Sequence, residues 1–492
     1  MRRLLDEAAG YLRQVSRAAL SGWNAFFFSP ADPTAVGLMR IAVGLLAFWS
    51  LLVFGLDLYD YFGSTGWALP TSIQSADRPL KWSFLFLVPD GWLRPVWCLS
   101  LAVLALYTLG LFSRVTAILA WVIVVSTIRR VPIALYGFDQ VVSALALYLA
   151  ATGASGQAVS VDRFWRRWRQ ARHASAQVPG RHPGGPGRRV TPDEPGVPAA
   201  TVSANLAIRL IQLHLVVIYG MAGLAKLQGP SWWNGTALWK TMTTGEFVTI
   251  DFTALAAWPL LVNLLTHATL AFELLYPVLI WIKIARPLML AGVVALHFGI
   301  ALMSPGLTEF ALAMLTGNLS FVSGKWLRGL ATGSTQPALR ILYDGACPRC
   351  RASMALITAA DPDSVLQPID LTAVEVATID PALTREDCTR SMHAVSRIGR
   401  ITAGFDAMRL LAAWLPIFWP LALMGYLPGV AWAGRRVYNR VAATRPRDAP
   451  CTDDSCGIHS RTPRIVPRDR GHVQDHHKSI ANLADTQEAH RP

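Results

Sequence analysis

Residues 36–54 make about five helical turns with a single charge, Arg40, among them. No other feature constrains the chain as strongly. A helix of about 20 apolar residues matches the hydrocarbon core of a bilayer and is hard to house in an ordinary soluble core. Comparable runs recur at 95–112, 115–128, 138–151, 205–224, 259–282, 287–303 and 308–322. Those at 115–128, 138–151 and 308–322 are short. The pattern predicts a polytopic α-helical membrane protein of about eight spans, and composition agrees: 53% hydrophobic residues and 18 tryptophans in 492 positions are too many for a soluble enzyme of this length.

The net charge of +14 would suit a nucleic-acid partner if it were spread over a polar face. Here the arginines stand in short segments beside apolar runs, as in cytoplasmic loops of membrane proteins, so lipids are the expected partner and nucleic acid is not. With the N-terminus inside, Arg114, the arginines of 163–189, Lys283, Arg286, Lys325 and Arg328 fall on one side, and Arg129 with Arg130 is the exception. This predicts an integral protein of the cell inner membrane whose C-terminal part is cytoplasmic. Six cysteines, one of them (Cys98) in the apolar part, do not make a secreted disulfide framework.

Four regions follow. Residues 1–28 set Leu4, Ala8, Leu12, Val15 and Ala19 against Arg2, Arg3, Arg13 and Arg17, which reads as an amphipathic helix on the membrane surface or a solvent-exposed one. Residues 29–325 form the bundle, interrupted by a flexible cytoplasmic loop at 162–200 whose first part, rich in arginine and tryptophan, is expected at lipid headgroups. Residues 337–443 form an α/β domain, and 446–492 a disordered tail. The apolar segment 417–430 fits equally a helix docked on the membrane and the core of its own domain.

Chemistry concentrates at 341–350, Ile-Leu-Tyr-Asp-Gly-Ala-Cys-Pro-Arg-Cys. A buried strand, a tight glycine turn and two cysteines at a helix start suit a redox dithiol, because the unpaired N–H groups there favour a thiolate at Cys347. Cys347 is the candidate nucleophile, with Arg349 assisting, and Cys350 the candidate resolving thiol. Tyr343 and Asp344 support the turn. Half of a zinc site has the same spacing, but Cys388 is single, and Cys451 with Cys456 lies about 100 residues away. No metal is expected.

Arg40, His214, Lys226, His267, Glu273 and His297 fall within or at the edge of apolar runs, where an ionised group costs roughly 2.5–3.5 kcal/mol or more at the bilayer centre. Glu273 and His297 should therefore be paired, with each other or with Lys226. Lys226 either snorkels to headgroups or, desolvated, serves as a base. His214 and His267 read as satisfied core histidines.

Two resemblances add to this. Tyr343-Asp344-Gly345, Cys347 and Cys350, Ser391-Met392-His393, Gly404-Phe405-Asp406-Ala407, Leu427-Pro428-Gly429 and 437–442 resemble the DCC-type (DUF393) thiol-disulfide oxidoreductases. That likeness implies a thioredoxin-like fold and disulfide exchange at Cys347 and Cys350. Gly37-Leu38-Met39-Arg40, the run 219–227, Trp233-Asn234-Gly235-Thr236, Glu273-Leu274-Leu275-Tyr276-Pro277 and His297-Phe298-Gly299-Ile300 resemble the horizontally transferred transmembrane (HTTM) family, related to the membrane region of vitamin K-dependent gamma-carboxylase. That likeness implies Lys226 as a base.

Three functions are open on sequence alone. In one, a membrane-anchored protein-disulfide reductase works on a protein or small-molecule disulfide, with the dithiol as its only redox group. In another, the bundle acts on a quinone-like lipid through Lys226, Glu273 and His297, in a carboxylase- or epoxidase-like reaction. In the third, a non-enzymatic scaffold carries the dithiol as a redox sensor.

Overall fold

The computed structural model describes residues 2–75, 82–177, 198–243, 250–332, 337–361 and 365–444. The expected tail at 446–492, with Cys451 and Cys456, lies outside these residues, as does most of the loop expected between 178 and 200.

Helices stand at all eight apolar runs: α2 (Thr34–Phe54), α3 (Asp90–Leu109), α4 (Ser113–Arg130), α5 (Gly137–Thr152), α7 (Val202–Lys226), α8 (Pro259–Leu279), α9 (Arg286–Met303) and α10 (Thr308–Asn318), preceded by α1 (Arg2–Phe28). Among the described residues, α2, α3, α7, α8 and α9 are long and apolar enough to cross a membrane. The other three fall short of that measure. α10 has 11 residues, about 16 Å at 1.5 Å per residue against a hydrocarbon core of about 30 Å. α5 has 16, and α4 ends in Arg129 and Arg130.

One apolar core unites the helices, with Met39, Leu104, Leu149, Ile211, Leu215, Tyr276 and Met314 fully buried. The halves meet at their entries, where Ala31 and Thr201 exchange backbone hydrogen bonds of 3.0 and 2.9 Å. Arg328, in a short helix at Gly324–Thr332, pairs with Asp32 just before α2. Burial alone would raise the Asp32 carboxyl, but hydrogen bonds from Thr34 and Arg328 outweigh it and hold the group below its ordinary range. α1 docks only by its end: the Phe26 carbonyl accepts from Asn205 (2.7 Å) and Arg209 (3.2 Å), while residues 11–25 stay exposed.

Two arginines in this body are wholly enclosed. Arg40 donates to the carbonyls of Ser155 (2.9 Å), Thr108 (3.2 Å) and Val159 (2.6 Å), so it gathers loop ends instead of snorkelling. Arg130 donates to Ala68 (2.5 Å), Phe62 (2.7 Å) and Gly63 (2.9 Å). That explains why it breaks the charge asymmetry of the loops: its charge is spent on buried carbonyls and never meets solvent.

The expected flexible loop at 162–200 begins instead with a helix, α6 (Val161–Gln177). Asp162 accepts from the backbone of Phe112 (2.9 Å) and Ser113 (2.7 Å) at the start of α4, and from the Ser113 hydroxyl (2.6 Å). From the same helix, Arg167 donates at 3.0 Å to the carbonyls of Thr358 and Asp361, and Phe164 packs edge-on to Phe418 at 6.2 Å. This helix is therefore not simply laid on headgroups. It joins the bundle to the C-terminal domain.

That domain is a four-stranded mixed sheet of order β2-β1-β3-β4. β1 (Leu339–Tyr343) is parallel to β2 (Leu366–Asp370) and antiparallel to β3 (His393–Ser396), which pairs antiparallel with β4 (Ile401–Ala403). α11 (Pro348–Ala360) connects the parallel pair. β1 is buried on both faces: Leu339, Ile341 and Tyr343 join Met354, Ile357 and Leu411, while Leu342 joins Leu371, Val376 and Cys388. α12 (Gly404–Trp414), α13 (Trp419–Gly425) and α14 (Pro428–Ala443) complete it. Asp406 ties α12 to α14, accepting both Arg435 bonds at 3.1 Å.

Candidate active site

β1 ends at Tyr343, and the chain must reverse into α11 within four residues. Asp344 opens the turn, its carboxylate accepting from Ala346 N at 3.1 Å and its carbonyl from Cys347 N at 3.2 Å. Gly345 is obligatory, because a Cβ there would lie 2.1 Å from Asp370 Oδ2. Its N–H donates to Asp370 Oδ1 (3.2 Å), which also takes the Thr372 N–H and hydroxyl at 2.8 Å. Arg351 closes the turn from the helix side, donating to the Gly345 carbonyl at 2.6 Å.

Cys347 is the N-cap of α11, and its Sγ accepts the N–H of Cys350 at 3.4 Å. Pro348 takes the first helical position, where no amide hydrogen is needed. Both cysteines are free thiols on one helical turn. Their exposures differ: Cys347 is 0% exposed, while Cys350 is partly exposed.

Cys350 borders a cavity of about 170 Å³. Tyr343, Asp344, Arg349 and Ser353 supply its polar wall, and Met354, Met392, Met408 and Val441 its apolar one. Arg349 donates to the Thr444 carbonyl at 3.4 Å. Burial of the Tyr343 phenol, reinforced by Asp370 and opposed by Arg351, pushes its pKa up to about 12, so it stays a neutral donor.

Tyr438 was not singled out as a site residue, although it lies in a motif carrying the family likeness. Its hydroxyl accepts the Met392 N–H at 2.9 Å, bringing α14 over the cavity. Gly404, at φ +62° in the left-handed region, lets β4 turn into α12 beneath Tyr438. Cys388 takes no part: it is buried in the opposite face of the sheet, and burial, aided by Asp387, pushes its thiol up.

The intramembrane candidates divide into two groups. Lys226 Nζ lies 2.9 and 2.6 Å from the two oxygens of Glu273 and 5.2 Å from the Trp232 ring centre. His297 instead meets the Tyr219 hydroxyl at 2.7 Å, and Tyr276 donates to Asn318 at 2.6 Å beside it. Glu273 and His297 are thus paired, but not with each other. A groove of about 370 Å³ between α8 and α9, lined by Phe272, Gly292 and Gly299, includes neither Lys226, Glu273 nor His297. His214 bonds Tyr148 at 2.8 Å, and His267 the Trp233 carbonyl at 3.2 Å.

No curated protein and no solved structure matches the chain. Residues 341–448 match the family model described as DCC1-like thiol-disulfide oxidoreductase. The domain that carries Cys347 and Cys350 is therefore a DCC1-like thiol-disulfide oxidoreductase domain.

Proposed function

We propose that this protein is a membrane-anchored thiol-disulfide oxidoreductase that works through the Cys347–Cys350 dithiol as a disulfide reductase. The observation that carries the proposal is the placement of two cysteine sulfurs on the first turn of α11, not joined in a disulfide, one of them facing a cavity. The β-α-β opening followed by an antiparallel hairpin supports a thioredoxin-like reading of the domain. The apolar helices support membrane anchoring, and the loop arginines support a cytoplasmic position at the inner membrane.

In the reaction, a thiolate attacks one sulfur of the substrate disulfide, the substrate S–S bond breaks, and half of the substrate leaves as a thiolate that takes up a proton. The second cysteine attacks the mixed disulfide, closing the Cys347–Cys350 bond and releasing the other half. Two electrons pass from the dithiol to the substrate, and a thiol reductant restores the pair. With Cys347 enclosed, first contact falls to Cys350. Attack by Cys347, the order suggested by its helix-start position, requires that sulfur to become accessible.

Trapping tests both points in the full chain. Cys350→Ser leaves an adduct only if Cys347 attacks; Cys347→Ser leaves one only if Cys350 does. Disulfide reduction that survives both single substitutions would remove the proposal.

The bundle-centred reading, with Lys226 as base toward a quinone-like lipid, draws on the HTTM likeness, but the Glu273 contact makes that amine an ion-pair partner. The scaffold reading draws on no further observation.

A further inference from the structure

We propose that the apolar face of α13 and α14 lies on the lipid leaflet, making the oxidoreductase domain an interfacial one that rests on anionic phospholipid. The inference depends on the membrane-spanning reading above and goes beyond it.

Trp419, Leu421, Leu423, Met424, Leu427 and Trp432 are each more than half exposed, Leu423 at 75%. Six large apolar side chains within fourteen residues are far more than the scattered ones a soluble surface carries, and mark a contact face. Its edges are basic and aromatic. The Arg409 guanidinium lies over Tyr426 at 4.2 Å and that of Arg436 over Trp432 at 4.5 Å; Asp406 pairs with Arg409 and Arg435, and α14 carries Arg436 and Arg440 besides, with no acidic residue of its own. Arginine and tryptophan bordering an apolar face is the composition of helices that lie in the headgroup layer of anionic membranes.

The position of the face selects lipid over a soluble partner. A cavity of about 440 Å³ is walled by Ile417 and Trp419 on the domain side and by Ile41, Leu45 and Leu109 on the bundle side. Leu45 and Leu109 belong to α2 and α3, two of the helices able to span, and are themselves outward-facing, at 55% and 57% exposed. The apolar surface of the spans therefore continues into the apolar face of the domain, at the level where α3 ends. α14 also walls the dithiol cavity through Tyr438, Val441 and Ala442. The cavity then opens at the leaflet surface, where membrane-associated disulfides reach it.

The test places a photoreactive benzoylphenylalanine at Leu423, Leu45 or Ile398 in the full chain, reconstituted in nanodiscs of phosphatidylcholine and phosphatidylglycerol. Ile398, 88% exposed at the turn between β3 and β4, is the aqueous control. Leu423 and Leu45 are expected to give lipid adducts in comparable yield and Ile398 none. A Leu423 probe that behaves like Ile398, or that captures a protein or a second copy of the chain instead of lipid, overturns the inference while leaving the spanning reading in place. Loss of the adduct at Leu45 as well overturns both.

Discussion

Lys226 and Cys347 each occupy the end of a helix, yet their surroundings give them opposite freedoms. Lys226 closes α7 with both Glu273 oxygens within 2.9 Å and an indole face at 5.2 Å. Its charge is matched and its position fixed. Cys347 opens α11 with one backbone N–H at 3.4 Å, and its neighbour Cys350 faces about 170 Å³ of space. A polar group whose partners are all supplied by the protein serves architecture. A thiol pair with room beside it can admit a visitor, as the proposed exchange requires. The same contrast holds within the domain, between the Cys347–Cys350 pair and Cys388, which has an apolar core around it.

The largest effect expected from this contrast separates the two ends. Cys347→Ser and Cys350→Ser each lower disulfide reduction by the reconstituted chain on the order of 10³-fold or more, whereas Lys226→Met leaves the rate near that of the unaltered protein. The opposite result, measured in one reduction assay, breaks the comparison outright. Next in size is Gly345→Ala, which forces a methyl group onto Asp370 and destabilises the domain by about 1–3 kcal/mol, read as a lower melting temperature together with slower exchange. Lys226→Met follows. It leaves Glu273 mostly buried without its cation, at about 1.5–3 kcal/mol, and thermal unfolding should drop while Lys226→Met with Glu273→Gln recovers part of the loss. Arg167→Ala removes two charged hydrogen bonds from the end of α11, about 1–2 kcal/mol, and should speed hydrogen exchange at 357–361 more than anywhere in the bundle. Smallest is Tyr438→Phe, about 1 kcal/mol from the lost bond to Met392, visible as faster exchange of that amide; an unchanged amide would show that α14 does not hold the cavity wall.

What the sequence revealed follows the reach of each interaction along the chain. The dithiol turn was legible because strand, glycine and both cysteines are contiguous, and every partner of Gly345 lies within about 25 residues. The cavity was not, since its far wall comes from Tyr438 and Val441, and no periodicity says which helix folds back over which turn. The contacts of the segment 162–177 were not legible for a related reason: arginine beside tryptophan has one composition whether it meets phosphate or, like Arg167, caps a helix from another domain. The positions of the apolar helices were readable from hydropathy, but not that five of them, among the described residues, would be long and apolar enough to span, or that one would have 11 residues. Arg130 looked like an anomaly of charge distribution because its three carbonyl partners, at 62, 63 and 68, lie in a loop whose path no local pattern dictates.

The clasp formed by α6 has a mechanical consequence. Asp162 is pinned to the start of α4 and Arg167 holds the far end of the cysteine-bearing helix, so α6 bridges the bundle and the domain that carries the proposed dithiol. If the proposed exchange holds, a domain clasped in this way meets its visitor from a restricted direction, unlike a module on a flexible leash. Selectivity can then be set by geometry at the doorway, before any bond between sulfurs is made.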